Sequence, residues 1–234
     1  MSVSMDPMAL RRVVPTLSEE DAAALATSLS TAMHKHGITT ARRAAMFIAQ
    51  VAHESGGFRY REEIASGAAY EGRRDLGNTR PGDGRRFKGR GFIMVTGRAN
   101  YAAVAEAFGV NALEQPELLS RSPWAETVAA WWWSTHGCSE LADGGGEESL
   151  LTVTRRINGG LNGLEDRRGY WERALQVSDQ LVPKKQRVPV YGLRTGAGEV
   201  VGQWLSKEAR DRAKPILEKR HGRKLASFRT YRDR

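Results

Sequence analysis

The sequence predicts a mainly α-helical body carrying a small basic C-terminal appendage. Three observations lead there. Helix signals recur from Ser18 to Leu181, strand signals over that stretch are sparse, and charge divides sharply near Pro183. The chain has 234 residues, 40% hydrophobic and 27% charged, a balance that suits a folded chain with a sizeable core and excludes a fibrous or disordered one. The net charge of +9 resides wholly in residues 183–234, where 15 Lys+Arg face 5 Asp+Glu, whereas residues 1–182 stand at −1. We therefore divide the chain at 182/183. An appendage so charged fits an anionic partner such as nucleic acid, phospholipid, lipopolysaccharide or anionic wall polymer, and leaves the chemistry of the body open.

The elements follow in order. The opening MSVSMDPMALRRVVP has no apolar core of the kind a secretory leader needs, and no apolar run reaches the ~18 residues of a membrane span. Ser18 caps a helix over 18–36, with Glu19, Glu20 and Asp21 in the first turn where the helix dipole favours acids, and Gly37 ends it. A second helix over 40–55 carries Phe47, Ile48 and Val51 and stops at Gly56-Gly57. Residues 77–91 hold five glycines and a proline and read as a loop. Helices follow over 97–108 and from Ser122-Pro123 through Trp131-Trp132-Trp133, where three adjacent tryptophans predict a buried helix. After Gly144–Gly146 come helices over 147–157 and 164–181, joined by NGGLNG. In the appendage, VPVYGL and EVVGQWL flank RTGAG as a hairpin. Ser206 caps a short basic helix, with Pro215 interrupting it or starting another, and the linker KKQRV precedes the hairpin.

Among chemistry-bearing residues, Glu54 stands out. Phe47, Val51 and Glu54 recur at i, i+4 and i+7, so a carboxyl lies on an apolar stripe beside two glycines. Burial there raises a carboxyl's pKa and suits it to general-acid work; the plainer reading is a polar residue in the last helical turn. Glu62 and Glu63 follow closely. Two carboxylates across a cleft suffice for glycoside hydrolysis, one protonating the leaving oxygen and one activating water; the plainer reading is a solvated charged stretch. Thr96 falls where a helix N-cap belongs, and its hydroxyl also suits holding a water molecule. The glycine-rich loop lacks the GxxxxGK[ST] pattern, His53-Glu54 lacks the second histidine of HExxH, and Cys138 stands alone. No metal and no cofactor is expected. The lone cysteine fits a reducing compartment.

Three blocks in order carry a resemblance: AMFIAQVAHESGGF (45–58), YEGRRDLGNTRPGDGRRFKGRGFIMVTGRANY (70–101) and INGGLNGLEDRRGYW (157–171). Together they resemble glycoside hydrolase family 19, most of all its bacterial and phage endolysin branch, with plant chitinases as relatives. The resemblance spans about residues 10–180 and leaves the appendage uncovered. It implies a lysozyme-like helical fold and an inverting mechanism, with Glu54 as general acid and Glu63 as general base. Glu62 is the neighbouring alternative. Thr96 would position the attacking water, and Asn158, Arg167 and Tyr101 would bind substrate, Asn158 and Arg167 with the further option of holding the second carboxylate. Inversion places the carboxyls about 6.5–9.5 Å apart, with room for that water. One position departs from the pattern: Met94 stands where relatives usually carry Gln, replacing a hydrogen-bonding amide by a weakly accepting thioether.

The function so implied is hydrolysis of the β-1,4 bonds of peptidoglycan by a monomeric endolysin, held in the cytoplasm until a membrane lesion releases it. Residues 183–234 would bind anionic envelope components, with Tyr191, Trp204, Phe228 and Tyr231 as aromatic contacts. A solubilising extension is the plainer alternative for that segment. Chitin is the alternative substrate. A non-catalytic glycan- or nucleic-acid-binding protein is the alternative from another class.

Overall fold

Ser18 accepts a hydrogen bond from the backbone N–H of Asp21 at 3.0 Å, and helix α2 (Glu19–Lys35) starts there in the computed structural model, which describes residues 3–185 and 187–233. Gln186 of the basic linker, the first two residues and the last lie outside the described residues. Thr40 does the same for α3 (Ala41–Glu54), accepting from the N–H of Arg43. Side-chain caps of this kind satisfy N–H groups that have no partner within the helix.

Every residue of α3 from Ala44 to Ala52 is buried, so the body is built round this helix. It packs against α9 (Leu164–Gln176), α7 (Cys138–Asp143) and α10 (Ser178–Leu181), while α2 lies on α6 (Trp124–Thr135). Phe47 meets Trp133 edge to face, ring centroids 5.4 Å apart. A separate apolar cluster of Phe87, Val95, Tyr101, Val104, Leu119 and Val128 supports the segment before α5 (Arg98–Phe108). Helix α8 (Gly146–Asn158) follows α7. Among the described residues, no helix is long and apolar enough to cross a membrane.

Several elements differ from expectation. An unforeseen helix, α1 (Pro7–Val13), begins on an Asp6 cap with Pro7 in its first turn. Of the three tryptophans only Trp133 is fully buried, while Trp131 and Trp132 are half-buried. Pro123 precedes α6 instead of opening it. The stretch expected as one helix over 164–181 breaks at Val177 into α9 and α10. Residues 77–91 contain one helical turn, α4 (Asp83–Arg86).

Two-residue strands, β1 (Val3–Ser4) and β2 (Lys184–Lys185), begin the body and lead out of it. The chain divides into compact units at Lys184/Lys185. In the second unit β3 (Arg187–Arg194) pairs antiparallel with β4 (Val200–Trp204) and with β5 (Ala226–Asp233), in the order β4-β3-β5. The sequence suggests only the β3–β4 hairpin. Helix α11 (Lys207–His221), capped by Ser206, connects β4 to β5 and runs through Pro215 without ending there.

Candidate active site

Helix α3 ends at Glu54, and the chain then reverses over Gly56, Gly57 and Phe58, all at positive φ (59°, 73° and 65°). Glycine takes that conformation without strain, and two glycines there let the chain turn sharply. The reversal brings residues 60–63 back beside the end of α3. The N–H of Glu63 donates to the carbonyl of Gly89 at 2.9 Å, and that of Gly91 donates to Arg61 O at 2.9 Å. Arg90 and Val95 then exchange backbone hydrogen bonds of 3.1 and 2.8 Å. Residues 61–63, 89–91 and 95 thus form a small three-layered ladder. It carries Glu62 and Glu63 and leads into Thr96, and it holds two glycines of the 77–91 loop, Gly89 and Gly91.

An open cleft of about 320 Å³ receives Glu54, Tyr60, Glu62, Glu63, Ile64 and Met94. Glu54 is 20% exposed, and its Oε1 accepts from Nη2 of Arg167 at 2.5 Å. Arg167 is wholly buried in α9 and also donates to Gln50 Oε1 at 2.5 Å, while Gln50 donates to Thr154 in α8 at 3.0 Å. The premise of an apolar setting for Glu54 is corrected: a guanidinium faces it. Arg167 is likewise corrected from substrate contact to positioning residue, because no part of it reaches the cleft, and the carboxylate it holds is the first and not the second.

Glu63 is held by neutral donors. Its Oε1 accepts from the Tyr70 hydroxyl at 3.0 Å and its Oε2 from the Gly89 N–H at 3.0 Å. Burial pushes the Tyr70 hydroxyl above its ordinary range, with the Glu63 carboxylate adding to the effect. Glu62 is held differently: Lys88 Nζ lies 3.0 Å from its Oε1 and Arg90 Nη2 3.3 Å. Burial raises the Glu62 carboxyl, but the Lys88 hydrogen bond and the Arg90 charge outweigh it and hold the pKa below the usual range.

Thr96 caps no helix, since Gly97 occupies the cap position of α5. Its hydroxyl donates to the carbonyl of Met94 at 2.9 Å. It borders a smaller hollow of about 180 Å³, lined also by Met94, Asn100, Trp132 and Ile157. Met94, at φ 51°, belongs to both hollows. Gly89 explains how the parts come together: a Cβ there would stand 3.2 Å from Glu63 Oε2 and 3.3 Å from Thr96 Oγ1. Any side chain at this position would crowd both groups.

Two further candidates have their places. Tyr101 is wholly buried, donates to the carbonyl of Lys88 at 2.7 Å and accepts from Arg90 Nη1 at 3.0 Å. Burial pushes its pKa up to about 12. It supports the ladder from beneath and does not bind substrate. Asn158 stands exposed at the end of α8, and Ile157 is the residue of that pair lining the hollow beside Thr96. Sequence reasoning missed Tyr70, Lys88 and Trp132. Tyr70 and Lys88 lie inside the second resemblance block, but only the fold pairs them with Glu63 and Glu62. Among the described residues no group of His, Cys, Asp and Glu is arranged to hold a metal ion.

A helical body with paired acids on opposite supports of one cleft defines a glycoside hydrolase of lysozyme-like architecture. Residues 19–141 match the family described as chitinase class I. The chain is 33% identical over 183 residues to a glycosyl hydrolase family 19 domain-containing protein of Haemophilus influenzae, covering 65% of this chain and 88% of that protein. It belongs to glycoside hydrolase family 19. An Arabidopsis thaliana endochitinase is 38% identical over 125 residues, 53% of this chain and 42% of that enzyme, so the chain spans less than half of the plant protein. Chitinase C from Streptomyces griseus shares the fold, with a TM-score of 0.57 at 23% identity over 74% of this chain and 92% of that one.

Proposed function

We propose that the protein is an endolysin that hydrolyses β-1,4 bonds of peptidoglycan by inversion. The observation that carries the acid/base part is the convergence of Glu54 and Glu63 on one cleft from separate supports, with Thr96 across Gly89. Arg167 engages Oε1 of Glu54, leaving Oε2 to carry the proton given to the glycosidic oxygen. Glu63 takes a proton from water. Each of its oxygens accepts one hydrogen bond from the protein and keeps a second lone pair for that purpose. Thr96 spends its only donor on Met94 O, so its hydroxyl accepts from the same water and turns the water's lone pair towards the sugar. An anomeric carbon attacked from the face opposite the leaving oxygen inverts.

Chitin is the second reading, favoured by the 38% identity to a plant endochitinase. Mass analysis of the fragments released from peptidoglycan and from chitin, run side by side, decides between them. A new reducing end at an amino sugar of peptidoglycan is the expected result, and turnover of chitin alone would overturn it.

The second compact unit, with its surplus of Lys and Arg, is proposed to bind anionic envelope components. Arg229 lies 5.0 Å from the ring of Tyr231, which is 47% exposed, so cation and aromatic face are offered together. Retention on isolated envelopes that falls with rising salt is expected.

A further inference from the structure

A third hollow, of about 650 Å³, lies on the far side of the segment that feeds the cleft. The side chains of that short segment divide between the two: Arg59 and Arg61 line the larger hollow, and Tyr60, Glu62 and Glu63 line the cleft. Leu17, Leu25 and Phe58 give the larger hollow an apolar wall, and Asp21 is its one acid.

Its two cations are placed differently. Arg59 is exposed, rests 5.2 Å from the ring of Tyr60, and has no carboxylate partner among the described residues. Arg61 lies 5.1 Å from the ring of Phe92 and 3.7 Å from Oε1 of Glu126. Glu126 is 1% exposed on its side chain, and its Oε2 has no hydrogen-bond partner. A buried acid and an aromatic ring thus anchor Arg61, which lines the hollow with 35% of its side chain exposed. Asp21 is engaged by its own helix cap, accepting from Ser18 Oγ at 2.6 Å. The hollow therefore offers two forked guanidinium groups beside an apolar wall, one segment away from the hydrolytic acids.

Guanidinium forks match carboxylates geometrically. A chitin strand carries no carboxylate, whereas a peptidoglycan strand carries acidic peptides on alternate sugars, with small apolar side chains beside their carboxyl groups. We infer that this hollow receives the acidic stem peptide of a strand whose sugars occupy the cleft, Arg59 and Arg61 taking carboxylates and Leu25 and Phe58 taking an alanine methyl. The inference rests on the peptidoglycan reading and names the part of that polymer which selects it.

The test compares intact peptidoglycan strands with the same strands stripped of peptides by an amidase. For the full-length protein kcat/KM is expected to be about tenfold higher on intact strands, the worth of one charge-assisted hydrogen bond. Arg59→Glu should bring that ratio close to one through KM, with Arg59→Lys in between because it keeps charge and loses the fork. An unchanged melting curve for Arg59→Glu excludes a folding defect, as expected of an exposed side chain. Amide signals of Gly56 and Gly57 should shift on titration with free acidic stem peptide and shift far less with its fully amidated form. A ratio near one in the unaltered protein, a ratio unmoved by Arg59→Glu, or equal shifts with both peptides overturns the inference. These outcomes are separable from failure of the parent reading: a protein that cuts chitin and not peptidoglycan loses both, and one that cuts both kinds of peptidoglycan strand equally loses only this.

Discussion

Arg167 and Glu54 form an ion pair of 2.5 Å in which the cation is wholly buried and the acid is 20% exposed. The pair joins α9 to the end of α3, and through Gln50 and Thr154 it reaches α8. A carboxyl at a helix end has free rotamers, and one oxygen fixed to a buried fork leaves the other with a single direction.

Substitutions at the two ends of that pair should therefore behave differently. Glu54→Gln keeps an oxygen for Arg167 to donate to but removes the counter-charge of a buried guanidinium, so the protein stays folded with a lowered melting temperature while glycan turnover falls at least about a hundredfold. Arg167→Ala leaves Gln50 and Glu54 without their donor and costs about 3 kcal/mol of stability. Arg167→Lys retains charge without the fork and should lower kcat with little change in KM. Thermal melts and steady-state kinetics on soluble oligosaccharides measure both effects. An Arg167→Lys variant whose loss lies in KM would place this side chain in substrate contact after all.

The two adjacent acids are distinguished by their partners. Glu62, held by Lys88 and Arg90, has its pKa below the ordinary range and is for that reason a weaker base. Glu63 accepts from a hydroxyl and an amide N–H, neither of them a cation. Glu63→Gln should cost at least about a hundredfold in kcat. Glu62→Gln should cost less than about tenfold, mainly through loosening of the ladder. The reverse order of losses would exchange their roles.

Much of this was open to reading and some was not. Glu54 is legible because helix period and apolar stripe are both local, and Ser18 is legible because capping is local as well. The motif alone suggests Arg167 and Tyr101 as substrate contacts, because a motif marks a position without its burial. Both prove to be wholly buried, one behind Glu54 and one beneath Lys88. Tyr70 was silent because its partner Glu63 is set by the fold, and β5 because SFRTYRD mixes Arg and Thr with its aromatics. Three adjacent tryptophans cover most of a helix circumference and so suggest burial, yet Trp132 is only half-buried where it forms the wall of the hollow beside Thr96.

Met94 borders both hollows, and its thioether offers a sugar almost nothing to bond. Gln has nearly the same length and the same unbranched stem, so Met94→Gln should keep stability. It should lower KM for oligosaccharides by about threefold to tenfold, the worth of one hydrogen bond. Kinetics on a graded series of oligomers would show it. A KM that does not move would mean that sugars pass this position without touching it.

Asp83 supplies the pH dependence. Its carboxylate is almost entirely buried and accepts from Arg98 at 2.9 and 2.5 Å and from the N–H of Arg80 at 3.0 Å. The Arg98 hydrogen bonds lead in drawing its pKa down to about 2 from 3.8. A depressed acid stabilises the fold fully above its unfolded pKa, and that contribution fades as pH falls through the folded value. Asp83→Asn should therefore melt lower near neutral pH, by about 2 kcal/mol. The gap should narrow between about pH 4 and pH 2, where the native carboxyl takes up its own proton. Thermal melts of both proteins across that range measure it. A gap of constant size down to pH 2 would mean that Asp83 holds the 77–97 segment by shape and not by charge. Because that segment carries Gly89 against Glu63 and Thr96, the same acid range should also erode turnover in step with stability.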